Sequence, residues 1–175
     1  VEDWLFAGYT ILAEEGVQAL KIERLCEQIG ATRGSFYWHF DDIHSYRAAL
    51  VSSWSKFLEE ERSFIGDLAD LSPRERLSKL MAMLVSPRQW VLERAMREWA
   101  RTDPAAAASV RAADRRVVQA LRKAYRDYGF SAEDADLRAE STFVAGVGSL
   151  HVRGASSRAH AANRREAFLE LMLRQ

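Results

Sequence analysis

The chain has 175 residues, 29% of them charged and 48% hydrophobic, and its 25 Lys and Arg balance 25 Asp and Glu to a formal net charge of zero. That balance argues against a general polyanion binder, and no apolar run reaches the roughly 18 residues a membrane span requires. The single cysteine, Cys26, has no partner for an internal disulfide, so a reduced thiol and a cytoplasmic location are expected.

In chain order, Leu5, Phe6, Tyr9 and Leu12 predict a first helix that closes at Glu15-Gly16. Ile22, Leu25, Cys26 and Ile29 then stand at i, i+3, i+4 and i+7, the apolar face of a second helix that Gly30 stops. Thr32 can cap a third, short helix through its hydroxyl. Phe36 and Phe40, four apart, share its inward face, which turns Arg33, Gly34, Tyr37 and Trp38 outward. A helix, a glycine turn and a second short helix make a helix-turn-helix, whose second helix meets the major groove of DNA.

Asp42 caps a fourth helix running to about Phe64, with Leu50, Trp54, Phe57, Leu58 and Ile65 on one face. Ser72-Pro73-Arg74-Glu75 supplies a cap, a first-turn proline and a capping-box glutamate, and Leu77, Leu80, Met81 and Leu84 follow at helical spacing until Ser86-Pro87. Leu92, Ala95, Met96 and Trp99 mark the next helix, and Thr102-Asp103-Pro104 caps its successor, which carries Val110, Ala113, Val117, Leu121, Ala124 and Tyr128 up to Gly129. Ser131 caps a helix from Ala132 to about Val152 with two apolar sides, one of Leu137, Val144, Val147 and His151 and one of Ala139, Phe143, Gly146 and Leu150. Arg153 to Arg165 reads as a solvated loop, and Phe168, Leu169, Leu171, Met172 and Leu173 as a last helix apolar nearly all round. The fold class is therefore all-α, with about nine helices: a three-helix head at residues 1–46 and a helical bundle at 47–175.

From Trp4 to Tyr46 the chain resembles the N-terminal domain of TetR-type transcriptional regulators. The pieces that carry the resemblance are the first helix, Ile22 to Ile29, and Gly30-Ala31-Thr32-Arg33-Gly34-Ser35-Phe36-Tyr37-Trp38-His39-Phe40. The resemblance implies a ligand-responsive repressor that binds a double-stranded inverted-repeat operator as a homodimer, its 47–175 segment serving effector binding and dimerisation. Carried over position by position, Lys21, Thr32, Arg33, Gly34, Ser35, Tyr37, Trp38 and His39 are the expected DNA contacts. Arg33 offers a fork suited to guanine O6 and N7, or else to phosphate. The hydroxyls of Thr32 and Ser35 suit phosphate or base edges, Gly34 lets the backbone approach closely, and His39 is a phosphate donor.

Two departures weaken phosphate binding. Residues 1–46 hold three cations, Lys21, Arg24 and Arg33, against eight acids, and a head with few cations binds DNA weakly and with a shallow salt slope. Where the family enters the second helix with a capping Thr, this chain has Ala19-Leu20-Lys21, and after Phe40 it has Asp41-Asp42-Ile43-His44 in place of a basic residue. Relatives commonly carry a basic arm before the first helix, so such residues are expected ahead of Val1. The alternative is a head that reads DNA through neutral hydrogen bonds.

The large, soft side chains Trp54, Met81, Trp90, Met96, Trp99 and Phe143 are the candidate lining of a pocket for a small apolar or aromatic effector, or else ordinary core. Ala139, Phe143, Gly146, Leu150, Phe168 and Met172 are the candidate dimer interface, the small residues permitting close helix approach. No enzyme site, metal site or cofactor motif is found: His39, His44, His151 and His160 fall in no zinc spacing, and Gly146-Val147-Gly148 lies within a helix. The rival reading is a helical small-molecule-binding or interaction protein whose DNA binding is weak or lost.

Overall fold

The computed structural model describes residues 1–84, 90–152 and 158–174, and their side chains except those of 57–65, 67, 69, 90, 91, 150–152 and 158–161. Among the described residues there are nine α-helices and no strand: α1 Glu2–Glu14, α2 Ile22–Ile29, α3 Arg33–Tyr37, α4 Ile43–Asp67, α5 Pro73–Leu84, α6 Trp90–Trp99, α7 Pro104–Tyr128, α8 Ala132–Val152 and α9 Arg158–Leu173. None of these helices is long and apolar enough to cross a membrane. The chain forms two compact units, one of Val1–Glu60 with Val91–Ala113 and one of Glu61–Trp90 with Asp114–Gln175.

The punctuation seen in the sequence sets the helix ends. Asp42 accepts the Ser45 backbone N–H at 2.7 Å, Asp103 that of Ala106 at 2.8 Å, and Ser131 that of Asp134 at 3.1 Å. In the Ser72 capping box, Glu75 accepts both the backbone N–H and the hydroxyl of Ser72. Each such bond satisfies a donor that the first helical turn leaves without an intrahelical partner.

The first unit is built around Phe36, which is fully buried. Its ring lies 5.4 Å from Trp4 of α1, 5.4 Å from Phe40 and 5.8 Å from Tyr46 of α4. Ile11, Leu12, Leu20, Leu25 and Leu50 complete this core, joined by Trp54, Met96 and Trp99. Compact packing thus continues beyond residue 46. Phe6 is 74% exposed, because α1 buries the Trp4, Ala7, Gly8, Ile11 and Leu12 side.

In the second unit α5 packs against both α8 and α9. Leu77, Leu80 and Met81 meet Leu121, Tyr125, Ala135, Ala139, Leu169 and Leu173 in one core. A buried hydroxyl pair, Tyr125 with Thr142 at 2.8 Å, satisfies the polar atoms at its centre. Arg138 sits 4.1 Å over the Phe130 ring and donates to the Met172 and Arg174 carbonyls at 2.5 and 2.9 Å, occupying the orphan acceptors at the end of α9. The expected loop at 153–165 is corrected in part: α9 already begins at Arg158. Its Ala, Arg and Glu residues are strong helix formers, although this stretch has no apolar stripe to announce it.

Candidate nucleic-acid interface

The turn between α2 and α3 is set by Gly30, at φ 68°, a left-handed backbone conformation that side chains disfavour. The Ala31 N–H returns to the Cys26 carbonyl at 2.9 Å, closing α2. Thr32, in extended conformation, accepts the Ser35 backbone N–H at 3.2 Å and caps α3. Phe36 and Phe40 are buried as expected, and Thr32, Arg33, Gly34, Ser35, Tyr37 and Trp38 lie together on the outer side. Trp38 is 83% exposed and Tyr37 55%, so both aromatic side chains project from the head. His39 is half-buried, its ring 5.0 Å from that of Trp38. A Cβ on Gly34 would meet only the Thr32 hydroxyl, at an ordinary 3.7 Å, so nothing inside the head demands a glycine there.

Two of the three cations of the head are engaged. Arg24 gives two hydrogen bonds to Glu15, at 2.9 and 2.7 Å, which holds the Glu15 carboxyl below its usual range. Arg33 is ion-paired with Glu23, from the first turn of α2. The side chain of exposed Lys21, just before α2, makes no hydrogen bond or ion pair among the described residues and provides no cap. The Arg33 pair was not visible in the sequence, since ten residues and a turn separate its members. Also missed were the bonds that seat α4: Tyr46 donates to the Trp4 carbonyl at 2.8 Å, Tyr9 to that of Leu50 at 3.1 Å, and Arg47 to that of Leu20 at 3.0 Å. Burial pushes the Tyr46 hydroxyl far up from its ordinary pKa, so it remains a donor. Cys26 is a free thiol, and burial raises its pKa as well.

Residues 5–44 match the family model described as bacterial regulatory proteins, tetR family. The head is thus similar to the N-terminal domain of that family. No curated protein matches the chain. Among solved structures, a transcriptional regulator from Saccharomonospora viridis in complex with choline is similar at 18% identity and a TM-score of 0.77, covering 97% of this chain and 94% of that one. A TetR-family regulator from Rhodococcus sp. is 16% identical with a TM-score of 0.72, covering 99% and 98%. The ketosteroid regulator KstR2 of Mycobacterium tuberculosis is 18% identical with a TM-score of 0.70, covering 98% and 92%. At such identities these likenesses establish the fold.

Five of the six pocket candidates fall in the cores of the two units. Trp54, Met96 and Trp99 are buried in the core of the first unit. Met81 and Phe143 belong to the core of the second, and the Trp90 side chain lies outside the described residues. The reason is physical: Trp and Met at helical spacing fill whichever core their own helix faces. The second unit does contain a cavity of about 360 Å³, which Met81 lines together with Leu84, Thr142, Gly146, Phe168 and Leu171.

Several of the dimer candidates have neighbours within their own chain. Ala139 is fully buried within its own chain, and a Cβ on Gly146 would stand 2.9 Å from Leu84 of α5, so these small residues admit an intrachain neighbour. Phe143, Phe168 and Met172 pack partly buried against the second core, and the Leu150 side chain lies outside the described residues. Among the described residues of α8 and α9, the large apolar side chains left outward are Leu137 and Val144, each 66% exposed, and Leu171, 54% exposed.

Proposed function

We propose that this protein is a TetR-type repressor that binds an inverted-repeat operator as a homodimer and releases it when a small molecule occupies the body. The observation that carries the reading is the outward group of Arg33, Ser35, Tyr37 and Trp38 around a capped α3 in a TetR-type head. Residues 1–46 contact DNA and residues 47–175 serve effector binding and dimerisation. Arg33 reads a base or phosphate, Tyr37 and Trp38 make phosphate hydrogen bonds and thymine-methyl contacts, and Lys21, Thr32, Gly34, Ser35 and His39 meet the backbone. Dimerisation uses α8 and α9, with Leu137 and Val144 as its outward apolar residues. Two heads related by a two-fold axis reach successive major grooves about 34 to 36 Å apart.

A choline complex in a similar fold supports a small-molecule effector, as does the cavity in the second unit. Its ligand favours a head spacing that no longer fits the operator, and DNA affinity falls by the difference in binding energy between the two states. The protein works in the cytoplasm and is not an enzyme.

The test is selection from random duplexes at several salt concentrations. Enrichment of an inverted repeat supports the repressor, and failure to enrich one removes it. A second reading, a helical ligand-binding protein with weak DNA affinity, is favoured by one observation: Arg24 and Arg33 are both engaged by acids of the head. The same selection separates the two.

A further inference from the structure

The cavity of about 360 Å³ in the second unit lies among α5, α8 and α9 and falls within the size range of small-molecule sites, about 300 to 1,000 Å³. Met81, Leu84, Ala145, Phe168 and Leu171 make its walls largely apolar. Two hydroxyls reach it, Thr142 and Ser149, and both already have partners: Thr142 is paired with Tyr125, and Ser149 donates to the Gly146 carbonyl at 2.6 Å. The remaining polar groups are two adjacent guanidinium groups, Arg164 and Arg165, and no acid is among the described lining residues.

Arg165 is the unsatisfied group. Its Nε is buried without a hydrogen-bond partner, and no ion pair holds the side chain among the described residues. The acids nearest to it along α9, Glu166 and Glu170, are both taken by Arg74 at 2.5 Å. An arginine Nε–H withdrawn from water without an acceptor is destabilising, and a planar carboxylate is an acceptor that a guanidinium fits well.

We propose that this cavity binds an amphiphilic carboxylate, its anionic head on Arg165 with Arg164 beside it, and a short hydrocarbon chain against Met81, Leu84 and Phe168. This deepens the effector reading above and rests on it for its regulatory meaning. The charge of the site selects against a cation of the same shape, because the cavity contributes two positive charges and no negative one.

The test is calorimetric titration of the whole protein, without DNA, with octanoate, octyltrimethylammonium and octan-1-ol. Octanoate binds tighter than either by about tenfold or more, the scale of one charge-assisted hydrogen-bond pair. Arg165→Gln removes that preference while leaving the alcohol unchanged, and Leu171→Trp, which fills the cavity, weakens all three. Equal or tighter binding of the ammonium ion overturns the proposal. So does a Leu171→Trp variant that still binds octanoate normally, or no binding at all, as when a second copy of the chain covers the opening. Because DNA is absent, loss of the anion preference leaves the repressor reading intact. Octanoate that binds normally but does not release an operator leaves the site intact and removes its regulatory role.

Discussion

Gly8 lies on the buried side of α1, and replacing it with alanine tests how the head is held together. A Cβ at that position falls on the Tyr46 hydroxyl, 3.0 Å from Tyr46 Cζ and 3.2 Å from Leu50 Cδ1. The hydroxyl is the donor to the Trp4 carbonyl, and the Tyr46 ring packs 5.1 Å from Phe40 and 5.8 Å from Phe36. Alanine gains about 1 kcal/mol of helix propensity over glycine. Against that stand about 1 to 3 kcal/mol of overpacking and about 1 to 3 kcal/mol for a buried hydroxyl displaced from its acceptor. Gly8→Ala is therefore expected to destabilise the protein by about 1 to 5 kcal/mol, where an unobstructed helix position would be stabilised.

In a Tyr46→Phe background the obstructing oxygen and its bond are both absent, so the same substitution loses most of its penalty. Urea denaturation of the four proteins of this cycle measures a coupling between the two positions of about 1 to 3 kcal/mol. A Gly8→Ala protein as stable as the parent refutes the reasoning, and so does additivity of the two substitutions within about 0.5 kcal/mol.

Arg33→Ala is expected to relax sequence preference by about 1 to 3 kcal/mol per half-site if the side chain reads a base, whereas a uniform loss across sequences identifies a phosphate contact; competition binding with operator variants measures the difference. Glu23→Gln frees Arg33, so binding to random duplexes tightens and its salt dependence steepens by about one phosphate contact, read by anisotropy across a salt series. Replacing Leu137 and Val144 together by Glu is expected to give a helical monomer in sedimentation velocity; an unchanged dimer moves the interface elsewhere. Asp42 has its carboxyl pKa held down mainly by the Ser45 backbone N–H. Its contribution to stability is complete above the ordinary carboxylate value of about 4 and is lost as pH falls through the lower folded value. Asp42→Asn, which keeps the cap and removes the charge, therefore flattens the acid side of the urea midpoint profile, and an unchanged profile contradicts the assignment.

What could be read from the chain alone was whatever is encoded within one turn of backbone. Gly30, Thr32 and the Phe36-Phe40 pair announce the turn, the cap and the inward face because each depends on residues at most four apart. The same holds for Ser72 with Glu75 and for Asp42 with Ser45. Phe6 stays outward because the buried side of α1 is chosen by what packs on it, which periodicity alone does not specify. The Arg33–Glu23 pair was hidden for a related reason: its members meet only once the turn has folded. Trp54, Met96 and Trp99 looked like companions of Met81 and Phe143 because large apolar side chains carry no label for the core they enter. Arg165 is the converse case, an arginine in a stretch read as solvated loop whose importance comes from the apolar walls that α5 and α8 bring around it.

The bonds that seat α4 share a property with consequences for how this head tolerates change. Tyr46, Tyr9 and Arg47 all donate to main-chain carbonyls, those of Trp4, Leu50 and Leu20. A point substitution can delete any of the three donors, but none can delete an acceptor, since every amino acid supplies the same carbonyl. Variation at Trp4, Leu20 or Leu50 therefore alters packing while leaving the anchorage available. The seat of α4 is protected at its receiving ends and exposed to loss only through two tyrosines and one arginine.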